Sequence, residues 1–337
     1  MTQADGDPSE TPPQPSTPDQ ERQPRPAGSR GRRPKTREPF RDATRRSGVQ
    51  TTRTPDYLVI GHVTADLQPN GEVVLGGTAL YSALAAARLG ARVAVLTRGV
   101  FGQEVAGMNV PSLAPYAGEI SIIVQDADVP TTFVNEYQAD RRVQTIRHWA
   151  GPIDLRGLPP HWRNAKIVHL GPVADEIDPR QCTGLTTGFL GVTPQGWMRD
   201  WPRESGGKVR HIHLRLPGEL MGRIDCAIVS IEEMVYTREV VERVGERRLS
   251  VVTMDRNGAR VIAGGQPIEL PGFKVKVKDL NGAGDVFAAA FFLKAADKTV
   301  SARTAGRFAN AVAALSLREV GVGSIPSKKE IDALLEE

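Results

Sequence analysis

The stretch from residue 57 to residue 97 most narrows what this chain can fold into. Residues 57–61 (YLVIG) form a short apolar run closed by glycine, the pattern of a strand buried on both faces. Gly76 and Gly77 then precede a helical pattern over 78–89, with Thr78 as the expected N-cap and Gly90 as its stop. Residues 92–97 (RVAVLT) read as the next strand. A strand, a helix and a strand in this order form a βαβ unit, and that connection calls for a parallel sheet.

The same alternation continues along the chain. Strands are expected at 120–125, 131–137, 166–170, 226–230 and 250–254, and helices at 231–245, 285–296 and 300–318. The last two helices are alanine-rich and apolar nearly all round, so they should lie buried against the sheet. Val275 and Val277 alternate with lysines and read as a further strand. No internal repeat is visible. The economical reading is one α/β domain over 55–337, with a doubly wound, mostly parallel sheet flanked by helices.

Charge excludes some functions. The net charge is +4, and residues 1–54, with 11 Lys/Arg and 7 Asp/Glu, account for all of it. The body is balanced, which argues against nucleic acid as a partner of the folded part. Residues 1–54 also hold nine of the 25 prolines and a single aromatic, Phe40, so this segment is expected to be disordered. No apolar stretch approaches a membrane span, and the N-terminus lacks the apolar core of a secretory signal. Cys182 and Cys226 offer neither a disulfide framework nor a thiolate metal cage. A cytoplasmic setting is the expectation.

The strongest local signal is residues 279–290, DLNGAGDVFAAA. Small residues at 282–284 let the backbone turn sharply and leave the first N–H groups of the following helix uncovered. With the helix dipole, those groups form an anion site suited to a phosphoryl group in transfer. Asp285, in the first turn, is placed to take a proton from an attacking hydroxyl. No G-x-x-x-x-G-K-[ST] run is present, which excludes a P-loop ATPase, and no G-x-G-x-x-G follows the first strand.

Two stretches together, DLNGAGDVFAAA (279–290) and GGTALYSALAAARLG (76–90), resemble the signatures of the PfkB, or ribokinase-like, carbohydrate kinases. The likeness spans about 56–335 of the chain. It implies a ribokinase-like fold that uses ATP with Mg²⁺ to phosphorylate a hydroxyl of a small polyol or sugar. Asp285 matches the family's catalytic base, and Gly282, Ala283 and Gly284, with Asn281, its anion hole. Asp66, Gly76, Gly77 and Tyr81 fall at substrate-binding positions. Ser230 and Glu233 (SIEE) match the N-x-x-E motif, whose glutamate organises Mg²⁺ indirectly. Thr253, Asp255 and Gly258 match the nucleotide turn, and Asn310 the adenine-side helix. The resemblance also allows a K⁺ ion near Asp279 and the 318–324 loop, and a homodimer.

Some positions depart from the family pattern. Leu280 and Asn281 replace two threonines, Ser230 replaces asparagine, and Asp255 replaces a glycine beside the donor phosphates. Only nine residues separate Asp66 from Gly76, so the β lid is expected to be reduced. Tyr81 stands where ribose kinases carry asparagine. Residues 169–179 (HLGPVADEIDP) and 191–202 (GVTPQGWMRDWP) resemble the branch containing the plant myo-inositol kinases, which makes myo-inositol the first candidate. A nucleoside kinase and a non-catalytic sugar- or nucleotide-binding sensor are the rival readings. Arg141, Arg142 and Arg147 are expected on the lid edge, where they could clamp a substrate phosphate. His211 and His213 would share one strand face, without a third ligand for a metal.

Overall fold

The computed structural model describes residues 53–138 and 141–336, together with the backbone of Thr44–Ser47. A ten-stranded sheet forms its centre. Its strand order is Thr44–Ser47, Ile120–Asp126, Val93–Gly99, Tyr57–Ile60, Ile167–Leu170, Phe189–Val192, Cys226–Ser230, Leu249–Thr253, Ala259–Ala263 and Gln266–Leu270. The seven strands from Ile120–Asp126 to Leu249–Thr253 run parallel. The edges are antiparallel. From Tyr57–Ile60 the chain winds first to one side and later to the other. That reversal puts a topological switch point beside the central strand, where the crevice at the carboxyl ends of the strands receives ligands.

Among the described residues six helices accompany the sheet: α1 (Thr78–Arg88), α2 (Gly218–Met221), α3 (Met234–Arg247), α4 (Ala283–Ala295), α5 (Ala302–Ser316) and α6 (Lys328–Glu336). As the sequence implies, α4 is buried nearly all round, with Phe291 and Phe292 wholly enclosed. Each such ring contributes roughly 1.5–3 kcal/mol by leaving water. α1 packs along α4 on the same face of the sheet. The opposite face is covered by the chain around Ile153, Trp162, Trp197 and Leu220, with Val240 and Val244 of α3. Both cysteines are free and buried.

Three expectations change on this structure. The expected strand around Val275 and Val277 does not form: the Lys278 N–H donates to the Leu317 carbonyl at the end of α5, and Val277 is exposed. Alternation alone cannot make a strand where no neighbouring edge offers a hydrogen-bonded ladder. Thr78 is not the cap of α1. Gly77 takes that position with φ +86°, which leaves the Thr78 hydroxyl for another partner.

The lid is not reduced either. The short span between Asp66 and Gly76 does limit its hairpin to the four-residue strands Thr64–Leu67 and Val73–Gly76. The long hairpin of Thr132–Gln138 and Arg141–His148, with Gly207–Lys208, completes a five-stranded second sheet. Strands distant in sequence supply what the local span lacks. The backbone of Thr44–Ser47 pairs antiparallel with Ile120–Asp126, so one strand comes from within the 1–54 segment expected to be disordered. The rest of that expectation, apart from residues 53–54, lies outside the described residues. Among the described residues no helix is long and apolar enough to cross a membrane.

Candidate active site

The residues singled out from sequence gather at the carboxyl ends of the parallel strands. The chain reaches Asp66 just after Tyr57–Ile60, Glu233 just after Cys226–Ser230, and Asp255 just after Leu249–Thr253. The amino ends of α1 and α4 point to the same edge. They are tied by the Ser82 hydroxyl, which donates to the Asp285 carbonyl at 3.0 Å. Two helix N-termini that meet over one crevice bring two sets of uncovered N–H groups and two positive dipole ends together.

Asp285 is the centre of the arrangement. The Thr78 hydroxyl donates to Asp285 Oδ1 at 2.7 Å, across the junction of α1 and α4. Burial pushes the carboxyl up to about 6, and the Thr78 hydrogen bond and the charge of Arg199 hold it back from rising further. The charge of Glu233 adds a smaller upward push. A carboxyl near 6 is mostly ionised at neutral pH yet basic enough to accept a proton.

Gly282 precedes α4 with φ +75°, in the left-handed region where a side chain is strained. A Cβ at Gly282 would lie 2.2 Å from Cδ1 of Tyr81, so the turn rests directly on that ring. This changes the part assigned to Tyr81. It is 7% exposed and supports the 282–284 turn from below, so it offers a substrate almost no ring face. Asn281 also plays another part: its N–H donates to Asp279 Oδ1 at 2.9 Å. Among the described residues no protein acceptor meets the N–H groups of Gly282, Ala283 and Gly284, as expected for a helix start.

Asp66 stands on the second-sheet strand Thr64–Leu67, half-buried. Its Oδ2 lies 2.9 Å from where a Gly76 Cβ would be. A Cβ on Gly77 would lie 2.5 Å from the His62 carbonyl oxygen. The Gly-Gly pair therefore serves close backbone packing between lid and body as well as any approach of a ligand. The side chains of Arg141 and Arg142 lie outside the described residues.

At the end of Cys226–Ser230, the Ser230 N–H donates to Glu233 Oε2 at 2.8 Å, within a capping box that opens the turn Ile231–Glu233. Ser230 pairs across the sheet with Thr253, so the 230–233 and 253–258 motifs start on adjacent strands. Asp255 is exposed, with φ +47°. Asn310 is buried, and its amide donates to the Leu270 and Pro271 carbonyls at 3.3 and 3.2 Å. Asn310 thus holds the 270–271 backbone against α5. Asp279 Oδ2 accepts from the Gly321 N–H at 3.0 Å, which joins it to the 318–324 loop. His211 and His213 both pack on Tyr236, at 5.4 and 5.8 Å between ring centroids. Among the described residues no group of three or more His, Cys, Asp or Glu could hold a metal ion.

Three residues of this region carry no signal that local motif reading would find. Glu176 is wholly buried and accepts N–H groups from His62, Val173 and Ala174 at 2.7–3.0 Å, which staples the loop after the central strand to the 171–176 loop. Gln195 and Arg199 lead away from Thr78: the Gln195 amide donates to Thr78 Oγ1 at 2.8 Å, and Arg199 donates to Gln195 Oε1 at 2.9 Å. Polar residues embedded in apolar runs just past a strand, as in HLGPVADEIDP and GVTPQGWMRDWP, were the available hint.

A doubly wound sheet, a five-stranded lid, and an aspartate in the first turn of a buried helix beside a Gly-Gly turn define the ribokinase class of fold. The pfkB family carbohydrate kinase profile matches residues 228–329. The match to this family covers the last third of the chain, from the strand Cys226–Ser230 into α6. It is 33% identical over 108 residues to a sugar-kinase relative from Pyrococcus horikoshii, covering 32% of this chain and 35% of that one. It is 40% identical over 86 residues to the ribokinase of Bacillus subtilis, covering 25% and 29%. The chain thus spans about a third of the length of the curated relatives it matches.

Among solved structures, a pyrophosphate-dependent kinase of the ribokinase family, in complex with a pyrophosphate analogue and myo-inositol, superposes with TM-score 0.67. The identity is 20%, over 82% of this chain and 99% of that one. The Arabidopsis thaliana ribokinase bound to ribose and ATP superposes with TM-score 0.62 at 20% identity, over 84% and 99%. At this level of identity the likeness shows the fold.

Proposed function

We propose that the protein is a kinase that transfers a phosphoryl group to a hydroxyl of a small neutral polyol or sugar, with myo-inositol the first candidate. One observation carries this reading. A carboxylate raised to about 6 sits in the first turn of α4, hydrogen-bonded to Thr78 of α1 and next to N–H groups without protein acceptors among the described residues. Asp285 takes the hydroxyl proton, and the 282–284 amides hold the charge of the phosphoryl group as it moves. Asp66 accepts hydrogen bonds from substrate hydroxyls, and such a site rejects analogues that lack them.

ATP with Mg²⁺ is the proposed donor. With no ready-made carboxylate cage among the described residues, the ion would come bound to the donor phosphates, with Glu233 oriented nearby by Ser230. When bound, it would neutralise phosphate charge during transfer. The Asp279–Gly321 contact fixes the loop where a K⁺ ion is proposed.

A second reading, pyrophosphate as donor, is favoured by the donor wall. The Asn310 amide is engaged by backbone, Asp255 replaces a glycine of the nucleotide turn, and the adjoining loop carries the exposed lysines Lys276 and Lys278. The two donors separate in one experiment. Purified protein with Mg²⁺ is offered ATP or pyrophosphate against inositols, hexoses, pentoses, nucleosides and phosphosugars, and the phosphorylated product is measured. Activity on a neutral polyol is the expected result. Activity confined to nucleosides or to a phosphosugar would overturn the substrate, and binding without product under either donor would favour a sensor.

The acid limb of kcat/KM is expected near pH 6, since Asp285 must be ionised to act and protonates as pH falls through that value. A profile flat from pH 5 to 8 would remove Asp285 from proton transfer.

A further inference from the structure

We propose that Gln195 and Arg199 are positioning residues that set the direction of a hydrogen-bond chain ending on Asp285, and so hold its carboxylate as a proton acceptor. The inference rests on the reading of Asp285 as the base, and it deepens that reading by saying how the acceptor state is kept.

A guanidinium only donates. Arg199 Nη2 lies 2.9 Å from Gln195 Oε1, so the amide oxygen must face Arg199 and the amide NH₂ must face the other way. That NH₂ donates to Thr78 Oγ1 at 2.8 Å. The Thr78 hydroxyl has one proton, and with Gln195 donating to its oxygen the proton is free to point only along its other contact. That contact is Asp285 Oδ1 at 2.7 Å. Asp285 Oδ1 therefore accepts, and carries no proton of its own. Flipping the Gln195 amide would set its NH₂ against the Arg199 N–H and its oxygen against Thr78, which breaks the chain at its start.

The start of the chain is itself anchored. Arg199 Nη1 donates to the Val173 carbonyl at 2.7 Å, and the guanidinium lies over the ring of Phe133, 5.3 Å from its centroid. Phe133 belongs to the lid strand Thr132–Gln138. The orientation of the base is thus referred through Arg199 to both the body and the lid. The charged and titratable groups facing Asp285 are Arg199 across the chain, Glu233 on the donor side, Tyr57 on the central strand and Tyr81 on α1. The charge of Arg199 acts on it, so the residue that orients the chain also favours the charged form.

The test reads protonation directly. In the full chain with ¹³C-carboxyl-labelled aspartate, the Asp285 resonance is assigned by its absence in Asp285→Asn, and its titration midpoint is measured by NMR. The wild-type midpoint is expected at about 6. Gln195→Glu preserves size but faces Thr78 with an acceptor, which draws the hydroxyl proton away from Asp285, and the midpoint should rise by about one pH unit or more. Arg199→Met should raise it similarly. Arg199→Lys keeps a donor-only cation and should stay within about half a pH unit of wild type.

Midpoints in Gln195→Glu and Arg199→Met equal to wild type would overturn the proposal. Thermal melts identify a misfolded variant, and Gln195→Glu, isosteric with the native side chain, decides the question if Arg199→Met fails to fold. The acid limb of kcat/KM separates the two layers of the argument. A limb that moves with the midpoint supports both, whereas a raised midpoint with an unmoved limb supports the chain and removes Asp285 as base.

Discussion

Asp285→Asn is expected to lower turnover by about two to four orders of magnitude, the usual worth of a positioned general base. Asparagine is isosteric and its carbonyl oxygen still accepts the Thr78 hydroxyl, whose bond to the native side chain is 2.7 Å long. Fold and ligand affinity should therefore survive, and the loss should fall on kcat. The same substitution should raise stability at alkaline pH. The folded-state carboxyl is pushed up from 3.8 to about 6, so the ionised form is disfavoured by folding. That cost is fully present above about pH 6 and is relieved as pH falls toward 4, where the native side chain protonates. Asparagine never bears the charge. The variant should be more stable than wild type by on the order of 1–2 kcal/mol at pH 8, after allowance for partial solvent screening, with the gain fading by pH 4. Turnover within a few-fold of wild type would take Asp285 out of the chemistry. Equal stability at pH 8 would show that the carboxyl is well solvated.

Glu176→Ala should be the most destabilising single change at the site. The side chain is 0% exposed and accepts the backbone N–H groups of His62, Val173 and Ala174. Removing it leaves three buried donors unmet, each costing about 1–3 kcal/mol, so a loss of roughly 3–5 kcal/mol is expected. For a body of this size that lowers Tm by about 10 °C. Glu176→Gln keeps one acceptor oxygen and should lose about half as much. Urea denaturation of the three proteins makes the comparison. A loss below about 1 kcal/mol for alanine would mean that water reaches those N–H groups. The effect bears on function because the His62 carbonyl borders Gly77, at the start of the helix that carries Thr78.

Much of this protein was legible in its sequence. Apolar runs ending in glycine, and helices opened by small residues, identify a parallel α/β sheet because those patterns report local backbone needs and two-sided burial. Asp285 and the 282–284 turn were legible for the same reason: a helix start, its uncovered N–H groups and its first acidic residue are contiguous. Glu233 was found with its capping partner Ser230, three residues away.

What the sequence alone left undecided concerns groups that meet only in space. The lid looked short because its hairpin is short, yet strands from 132–148 and 207–208 complete it. Thr78 looked like a helix cap, but its hydroxyl reaches an aspartate 207 positions later. Tyr81 looked like a surface for substrate, but it lies under Gly282. Gln195, Arg199 and Glu176 lie in loops with no local pattern, and each acts through partners that tertiary packing delivers. Local propensity and periodicity are properties of neighbouring residues, so the sequence determined most of the elements, their order and the 282–284 turn. The direction of a hydrogen bond depends on which donor faces which acceptor across the fold, and that was decided only when the strands and helices came together.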